Sequence, residues 1–286
     1  ETEVDHQQLE VDPGPTDLSR LVQTISAAAP HAGLPETHRS WRDELAARYE
    51  LEDLPTERLD SRLVFGVLDD PHGQDQRSVA FEPDRDGNIA AFGTGGSGKS
   101  TFIRSLAVAA GLSLRGGPCF VYCLDFGARS LAMLDQLPHV GAVIDGDDTE
   151  RVVRLISMLR EAIDERSARY ATVGAGSIVD YRRLADAPNE PRVILAVDGA
   201  GAFRQAYELS SNSRTFDSFL SIALVGRQVG VHVVITADRM ASIPASLAAA
   251  ISQRLTLRTA DESELGVAGL SLSSFDPTAP PGRGYL

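Results

Sequence analysis

Gly93–Thr94–Gly95–Gly96–Ser97–Gly98–Lys99–Ser100–Thr101 is the stretch of this 286-residue chain that decides its fold. A glycine followed after four residues by Gly-Lys-Ser is the spacing of the phosphate-binding P-loop. Glycines let the backbone wrap around a polyphosphate with its N–H groups pointing inward, and the next helix directs its positive end at the same anion. Lys99 would then contact the β- and γ-phosphates, and the Ser100 hydroxyl would bind Mg²⁺. The loop therefore predicts a site for ATP·Mg²⁺.

The same letters also contain the Gly-x-Gly-x-x-Gly fingerprint of dinucleotide-binding folds. Asp125, at the end of the following apolar run, resembles the acidic residue that would hold a ribose. A dinucleotide loop has no use for consecutive Lys, Ser and Thr at the entry of its helix, whereas a triphosphate site requires the first two. This difference favours the P-loop interpretation over an oxidoreductase.

A second nucleotide-binding element supports the same interpretation. The apolar run 193–197 predicts a buried strand, and it delivers Asp198 at its end. This is the form of a Walker B strand, whose aspartate holds Mg²⁺ by way of water. We therefore expect Ser100 and Asp198 to form the metal site of a RecA-like P-loop NTPase of the ASCE type.

From residue 61 to 286 apolar runs alternate with helical periods, which predicts an α/β domain around a mostly parallel central sheet. Strands are predicted at residues 79–81, 88–92, 119–124, 193–197, 231–236 and 254–258. Helices are predicted at residues 101–112, 147–170, 216–229 and 243–252, the second of them opening with a capping box from Asp147 to Glu150.

Residues 1–60 are punctuated by prolines and differ in pattern from the rest of the chain. We interpret them as a linker and packing arm with short helices at residues 18–28 and 38–49. The net charge of −13 and the pI near 4.9 count against direct binding of nucleic acid, which favours clustered Lys and Arg. Cys119 and Cys123 lie in one predicted strand, on one face, too far apart for a disulfide, and are expected to be buried thiols.

The residue after the Walker B aspartate predicts slow ATP hydrolysis. Fast P-loop ATPases commonly place a glutamate there to orient the attacking water, but this chain has Gly199. Without that carboxylate, general-base assistance of roughly 10²–10⁴ in rate is missing. Glu208 is better explained as a solvated helix residue. We expect nucleotide binding with weak or no hydrolysis.

Four further features are candidates for the site. Thr236, at the end of the strand 231–236, occupies the usual place of a polar sensor beside the γ-phosphate, with a threonine satisfied by its own turn as the alternative. Arg227 and Arg239 are candidates for arginine fingers, which would contact the nucleotide bound by a neighbouring module. Surface arginines are abundant, however, so either residue also fits an ordinary surface position. Residues 280–284 (Pro-Pro-Gly-Arg-Gly) would either fold over the adenine ring or form a plain terminal turn.

Three segments carry a resemblance to a known family. They are residues 122–127 (Tyr-Cys-Leu-Asp-Phe-Gly), residues 137–141 leading into 148–152, and residues 226–234 (Gly-Arg-Gln-Val-Gly-Val-His-Val-Val). Together with Val197–Asp198–Gly199 and Phe203–Arg204, they resemble the FtsK/SpoIIIE ATPases, and within them the EccC/EssC ATPase modules of type VII secretion systems. The resemblance covers about residues 60–286, and the Asp-Gly form of Walker B resembles a middle module of the several in tandem.

The resemblance implies a motor component on the cytoplasmic face of the bacterial membrane, anchored by sequence outside this soluble domain. It implies as partners the neighbouring ATPase modules and exported helical-hairpin proteins of the WXG100 type. The DNA-pumping relatives commonly have Ala-Thr-Gln-Arg-Pro after the sensor strand, where this chain has Thr-Ala-Asp-Arg-Met at residues 236–240. An FtsK-like DNA translocase and a structural module stapled by bound ATP remain the alternatives.

Overall fold

The computed structural model describes residues 14–33, 43–55, 59–112 and 115–286, which fall into two compact units. The smaller unit comprises residues 1–43 with 71–75 and contains helix α1 (Asp17–His31). Thr16 caps this helix by accepting a hydrogen bond from the Ser19 amide, and the helix predicted at residues 18–28 is confirmed. The proposed domain boundary at residue 60 stays a prediction.

The second predicted helix of the arm, at residues 38–49, is wrong where the structure describes it. Residues 38–42 lie outside the described ranges, and residues 43–49 form no helix. The Leu45 carbonyl accepts a hydrogen bond from the Arg283 guanidinium at 3.3 Å, and the Ala46 amide donates to the Tyr49 hydroxyl. These groups therefore bond to side chains rather than along a helix.

The larger unit is built on a seven-stranded sheet. In spatial order its strands are β5 (Val140–Asp145), β4 (Cys119–Asp125), β6 (Arg192–Asp198), β7 (Val231–Ala237), β3 (Ile89–Phe92), β8 (Gln253–Leu257) and β9 (Gly284–Tyr285). All neighbours are parallel except β8 and β9. Because β7 lies between β3 and β6, the predicted ASCE arrangement of a mostly parallel α/β sheet is confirmed. Strands β1 (Leu63–Asp70) and β2 (Asp75–Phe81) form a separate two-stranded sheet.

The helices of this unit mostly follow the strands. They are α2 (Pro83–Asp86), α3 (Lys99–Gly111), α4 (Thr149–Thr172), α5 (Ile178–Leu184), α6 (Ala200–Tyr207), α7 (Ser213–Val225), α8 (Ala245–Ala249) and α9 (Glu262–Val267). The capping residue of α4 is Asp148 rather than Asp147, because its carboxylate accepts from the Arg151 amide. In the described ranges no helix combines the length and apolarity needed to cross a membrane.

Two predicted helices are shorter than the periodicity suggested. The helix predicted at 216–229 ends at Val225, and residues Gly226–Val229 form a 3-10 turn. The helix predicted at 243–252 is reduced to α8, for which Pro244 is the capping residue. Proline stays at the start of a helix because its ring would clash with the preceding turn.

The sheet is covered on both faces. Along β6, Val193, Leu195 and Val197 pack into the cluster that includes α4, α6 and α7, whereas Ile194 and Ala196 pack into the cluster that includes α3. Cys119 and Cys123 belong to the second cluster and are free, buried thiols, as predicted. Burial raises the pKa of each thiol to about 12. The carboxyl ends of the parallel strands are left to build the site.

Candidate nucleotide-binding site

The loop Gly93–Thr101 joins β3 to α3 and is fixed by the two neighbouring strands. The Gly93 amide donates to the Ala237 carbonyl at 3.2 Å, and the Thr94 amide donates to the Arg258 carbonyl at 2.9 Å. Gly96 and Gly98 have φ angles of +71° and +110°, which glycine adopts without steric cost. These contacts and angles hold the loop open around the start of α3.

The amides of this loop suit a bound polyphosphate. Within the described part of the chain, several of them donate to no protein acceptor, namely those of Gly95, Gly96, Gly98, Lys99 and Ser100. A Cβ atom added at Gly95 would meet nothing within 4 Å. The amides border a cavity of about 510 Å³ that Lys99, Ser100 and Asp198 also line. Converging N–H donors at a helix N-terminus are the donor set that an anion requires.

Lys99 lies over the loop with all of its ammonium protons engaged. Nζ donates to the Gly93 carbonyl at 2.6 Å and to the Thr94 carbonyl at 2.8 Å. It also lies 2.9 Å from Oδ1 of Asp238. The lysine side chain is largely buried, whereas that of Asp238 is 78% exposed.

The predicted metal pair comes together at the end of β6. Ser100 Oγ donates to Asp198 Oδ2 at 2.6 Å, and Ser130 Oγ donates to the same oxygen at 3.2 Å. Thr236 donates to the other oxygen of Asp198. A buried carboxylate beside a P-loop serine is an oxygen donor set that Mg²⁺ prefers, so these residues fit the ion.

Thr236 lies in β7 and connects Asp198 to the residue that follows it. Its Oγ1 accepts a hydrogen bond from the Gly199 amide at 3.0 Å while donating to the Asp198 carboxylate. The threonine is fully buried. Its hydroxyl is therefore satisfied across strands rather than by its own turn.

Gly199 begins α6 in a conformation that disfavours any side chain. Its φ is +84°, and an added Cβ would lie 3.2 Å from the backbone carbonyl of Phe126. Glu208, the capping residue directly after α6, forms an ion pair with Arg204. A glutamate at this position would therefore be strained in the present backbone conformation.

Asp125 does not offer its carboxylate to a ribose. One oxygen accepts from the Gly127 amide at 3.0 Å, and the other accepts from the Leu131 amide at 3.0 Å. The side chain is buried and shapes the turn after β4. This arrangement disfavours the dinucleotide interpretation.

The two candidate arginines lie in different places. Arg227 precedes β7, at the end of the sheet opposite the P-loop, and donates to the Asp84 carbonyl at 2.9 Å and 2.7 Å. Arg239 follows β7 and pairs with Glu264 at 3.0 Å. Neither contacts the loop of its own chain in these bonds, so a role toward a neighbour's nucleotide stays a prediction for both.

Residues 280–284 lie against the P-loop. The Gly282 amide donates to the Ser97 carbonyl at 2.8 Å, and Pro281 lines the same cavity as Lys99.

The other hydroxyl groups of the loop face the protein. The Thr94 hydroxyl donates to the Arg258 carbonyl, and the Thr101 hydroxyl accepts from the Arg104 guanidinium. The Ser97 hydroxyl is buried with no hydrogen-bond partner in the described residues.

Among the residues that line the cavity and were not expected there from the sequence, Ser130 and Asp238 bond directly to Asp198 and Lys99, respectively. Both follow a strand of the parallel sheet, Ser130 after β4 and Asp238 directly after β7. The sequence places Asp238 at the edge of the sheet where the carboxyl ends of parallel strands meet, but it does not place Asp238 beside Lys99, because that depends on the strand order. Ser130 is brought in by a turn whose path the sequence does not specify.

A P-loop between strand and helix, with a Walker B aspartate two strands away across β7, defines the class of ASCE P-loop NTPases. The chain belongs to the FtsK/SpoIIIE family, whose sequence model matches residues 46–272. Membership of this P-loop ATPase family implies nucleotide binding, typically with Mg²⁺.

The curated relatives are EccC-type ATPases of type VII secretion, which confirms the resemblance seen in the sequence. The ESX-4 secretion system protein EccC4 of Mycobacterium tuberculosis is 30% identical over 280 residues, which are 95% of this chain and 22% of the relative. The ESX secretion system protein EccC of Thermomonospora curvata is 30% identical over 278 residues, 94% of this chain and 19% of the relative. The chain thus spans about a fifth of these relatives.

Solved structures give the same picture. The cytoplasmic domain of the type VII secretion ATPase EccC from Thermomonospora curvata matches with a TM-score of 0.73 at 27% identity, over 88% of this chain and 31% of that one. ATPases 2 and 3 of the same protein, in complex with a signal sequence peptide, match with a TM-score of 0.70 at 29% identity, over 79% and 41%. EssC (ATPases 2 and 3) from Geobacillus thermodenitrificans, at 24% identity and a TM-score of 0.73 over 85% and 45%, shares the fold.

Proposed function

We propose that this chain is an ATP-binding module of a type VII protein secretion motor, and that it binds ATP·Mg²⁺ with weak or no hydrolysis of its own. The observation that carries the proposal is the convergence, on one cavity, of free loop amides, the Lys99 ammonium and the Ser100–Asp198 pair. This set of donors is typical of proteins that bind a polyphosphate.

Each residue has a distinct role in this proposal. The amides of the loop would bind the phosphate oxygens. The loop is shaped by Gly93, Thr94, Gly95, Gly96, Ser97, Gly98 and Thr101. Lys99 places a positive charge at the β- and γ-phosphates. Ser100 and Asp198 would hold the metal ion, which would supply positive charge that offsets the charge of the phosphates.

The expectation of weak hydrolysis rests on Gly199, the residue after Asp198. Gly199 carries no carboxylate to orient a water molecule, and its left-handed backbone disfavours one. Thr236, which bonds to the Asp198 carboxylate and the Gly199 amide, would act as a sensor of the terminal phosphate. Residues 280–284, beside Ser97, would close over the nucleotide base.

The module would act by packing against neighbouring ATPase modules and by docking an exported protein of the WXG100 type. The tandem ATPases and the signal sequence peptide named for the Thermomonospora relative support this part. We place the module in the middle of such an array, with Arg227 and Arg239 as candidates for contacts to a neighbour's nucleotide. The module would work at the cytoplasmic face of the bacterial membrane, held there by other parts of the protein.

The test compares ATP affinity with phosphate release for the same purified chain. We expect measurable ATP·Mg²⁺ binding and turnover at least about 10²-fold below that of a glutamate-containing P-loop ATPase, because general-base assistance contributes that much. Rapid ATP hydrolysis that is lost in Lys99→Ala would contradict the proposal of weak hydrolysis. The proposal that this loop binds ATP would still stand.

A DNA translocase of the parent family is the second candidate, favoured by the family match at residues 46–272. The net charge of −13 and Gly199 both argue against it. Filter binding with double-stranded DNA separates the two. Retention of DNA that weakens steeply with salt would support the translocase, and no retention at low salt would support the secretion module.

A further inference from the structure

Lys99 must exchange a partner before it can bind a nucleotide. An ammonium group has three N–H donors, and the three partners of Lys99 are the Gly93 carbonyl, the Thr94 carbonyl and the Asp238 carboxylate. Phosphate oxygens that reach Nζ therefore displace at least one of them.

The three partners differ in how readily they can leave. The residues that supply the two carbonyls are tied by their amides to Ala237 and Arg258, so these carbonyls are part of the fixed loop. Asp238 instead reaches Lys99 by a short side chain that is 78% exposed and can rotate into solvent. Asp238 is thus the partner that a nucleotide displaces at least cost.

The position of Asp238 is set by the sheet. Phe92 pairs with Ala237, so Asp238 leaves β7 opposite Gly93, where the P-loop begins. Its neighbour Arg239 is anchored to Glu264 at 3.0 Å, which fixes the direction of the chain after the strand. The carboxylate therefore stands at the rim of the cavity that Lys99 and Asp198 line.

We propose that Asp238 is a specificity-determining residue that competes with the terminal phosphate for Lys99 and lowers the affinity for ATP more than that for ADP. The proposal rests on the proposed function, since it requires phosphates at this loop. Two negative groups that share one ammonium repel each other. Both nucleotides bring a β-phosphate to Lys99, but ATP adds a γ-phosphate with further negative charge, so removing the carboxylate charge benefits ATP more.

The first experiment titrates ATP·Mg²⁺ and ADP·Mg²⁺ into the chain by calorimetry at low ionic strength. In Asp238→Asn we expect ATP affinity to rise about three- to five-fold and ADP affinity to change less than about two-fold, because a partly exposed ion pair contributes no more than about 1 kcal/mol. Asp238→Glu retains the charge and should resemble the wild type. Asp217→Asn, an exposed carboxylate on α7 outside the cavity, is the matched control.

A second readout observes the ion pair without nucleotide. Lys99 is the only lysine among the 286 residues, so a chain labelled with [ζ-¹⁵N]lysine gives a single ammonium signal. Asp238→Asn should shift that signal and speed its proton exchange, whereas Asp217→Asn should leave it unchanged.

The outcomes separate this inference from the function on which it rests. No ATP binding by the wild type would contradict the proposed function. Wild-type binding with ATP and ADP affinities that are equally altered, unchanged or weakened in Asp238→Asn would overturn the role of Asp238 alone. Weakened ATP binding in particular would identify Asp238 as a group that helps to hold the metal or the phosphates.

Discussion

Ser100 Oγ lies 2.6 Å from Asp198 Oδ2, although the two residues are 98 positions apart in the chain. Strand β6 ends at Asp198 and helix α3 begins at Lys99, so the meeting of the two side chains depends on how the sheet orders its strands. This single contact joins the two halves of the proposed metal site.

The contact predicts how ATP affinity depends on Mg²⁺. In Asp198→Asn the neutral amide should hold the ion poorly, so ATP affinity in magnesium should fall about ten-fold or more, the equivalent of about 1.4 kcal/mol. In EDTA the variant and the wild type should bind ATP about equally. Calorimetry in both buffers checks this, and an equal loss in both would show that Asp198 acts on the fold instead.

Gly199 predicts that hydrolysis is not restored by supplying the missing carboxylate. Gly199→Glu places a side chain at a φ of +84° and against the Phe126 carbonyl. We expect the free energy of unfolding to fall by about 1–3 kcal/mol, with no gain in phosphate release. Gly176→Ala, where a Cβ would meet only a carboxylate oxygen at 3.8 Å, is the control and should be nearly neutral. Rapid turnover by Gly199→Glu would contradict the steric explanation.

His232 predicts a loss of stability in weak acid. It is fully buried, its Nδ1 donates to the Gly87 carbonyl at 2.8 Å, and burial lowers its pKa to about 4, with Arg192 and Arg227 adding to the shift and Gly87 and Asp84 opposing it. Because the unfolded chain binds a proton at a higher pH, this contribution to stability is complete above about pH 6.5 and is lost as the pH falls toward 4.

The expected loss is on the order of 3 kcal/mol across that interval. Urea denaturation of wild type and His232→Leu at pH 8, 6.5, 5 and 4 measures it, and the difference between the two should shrink or reverse as the pH falls. His72→Gln, at an exposed position, should follow the wild type. A difference that stays constant with pH would contradict the assignment to His232.

Arg192 predicts a large structural cost at the end of the sheet opposite the loop. Its side chain is 1% exposed and bonds to Asp60 and to Asp84, the latter at 2.6 Å. Arg192→Leu removes the more deeply buried of the two arginines that pair with Asp60, the other being Arg182, and we expect a cost of about 3 kcal/mol in the free energy of unfolding. Urea denaturation of Arg154→Leu, which breaks an exposed pair with Glu150, should show less than about 1 kcal/mol. Similar costs for the two would count against a buried network.

Much of the parallel sheet was predictable because its strands are buried on both faces. Strand β6 is buried at all seven positions and reads as a continuous apolar run that ends in Asp198. Strand β1, by contrast, has six half-buried positions, and its apolar run at residues 63–68 is interrupted by Gly66, so the sequence pattern alone does not assign it to a strand. The prediction for β2 was likewise confined to residues 79–81, the end that includes the buried Ala80 and Phe81.

In the site, too, residues defined by local sequence spacing were predictable, whereas residues brought in by the order of the strands were not. The P-loop is contiguous, so its residues could be assigned from spacing alone. Asp238 is distant in sequence from Lys99, and its role depends on β7 being inserted beside β3, which one sequence does not state. The missing helix at residues 43–49 has the same cause, since its backbone bonds to Arg283 near the opposite end of the chain.

The most direct test is calorimetric titration of ATP·Mg²⁺ into the wild type and Lys99→Ala, with Asp217→Asn as the control. We expect the wild type and Asp217→Asn to bind at one site per chain, and Lys99→Ala to lose at least about ten-fold in affinity, or about 1.4 kcal/mol. Absence of heat from the folded wild type at millimolar ATP, or equal affinity in Lys99→Ala, would contradict the claim that this loop holds a nucleotide.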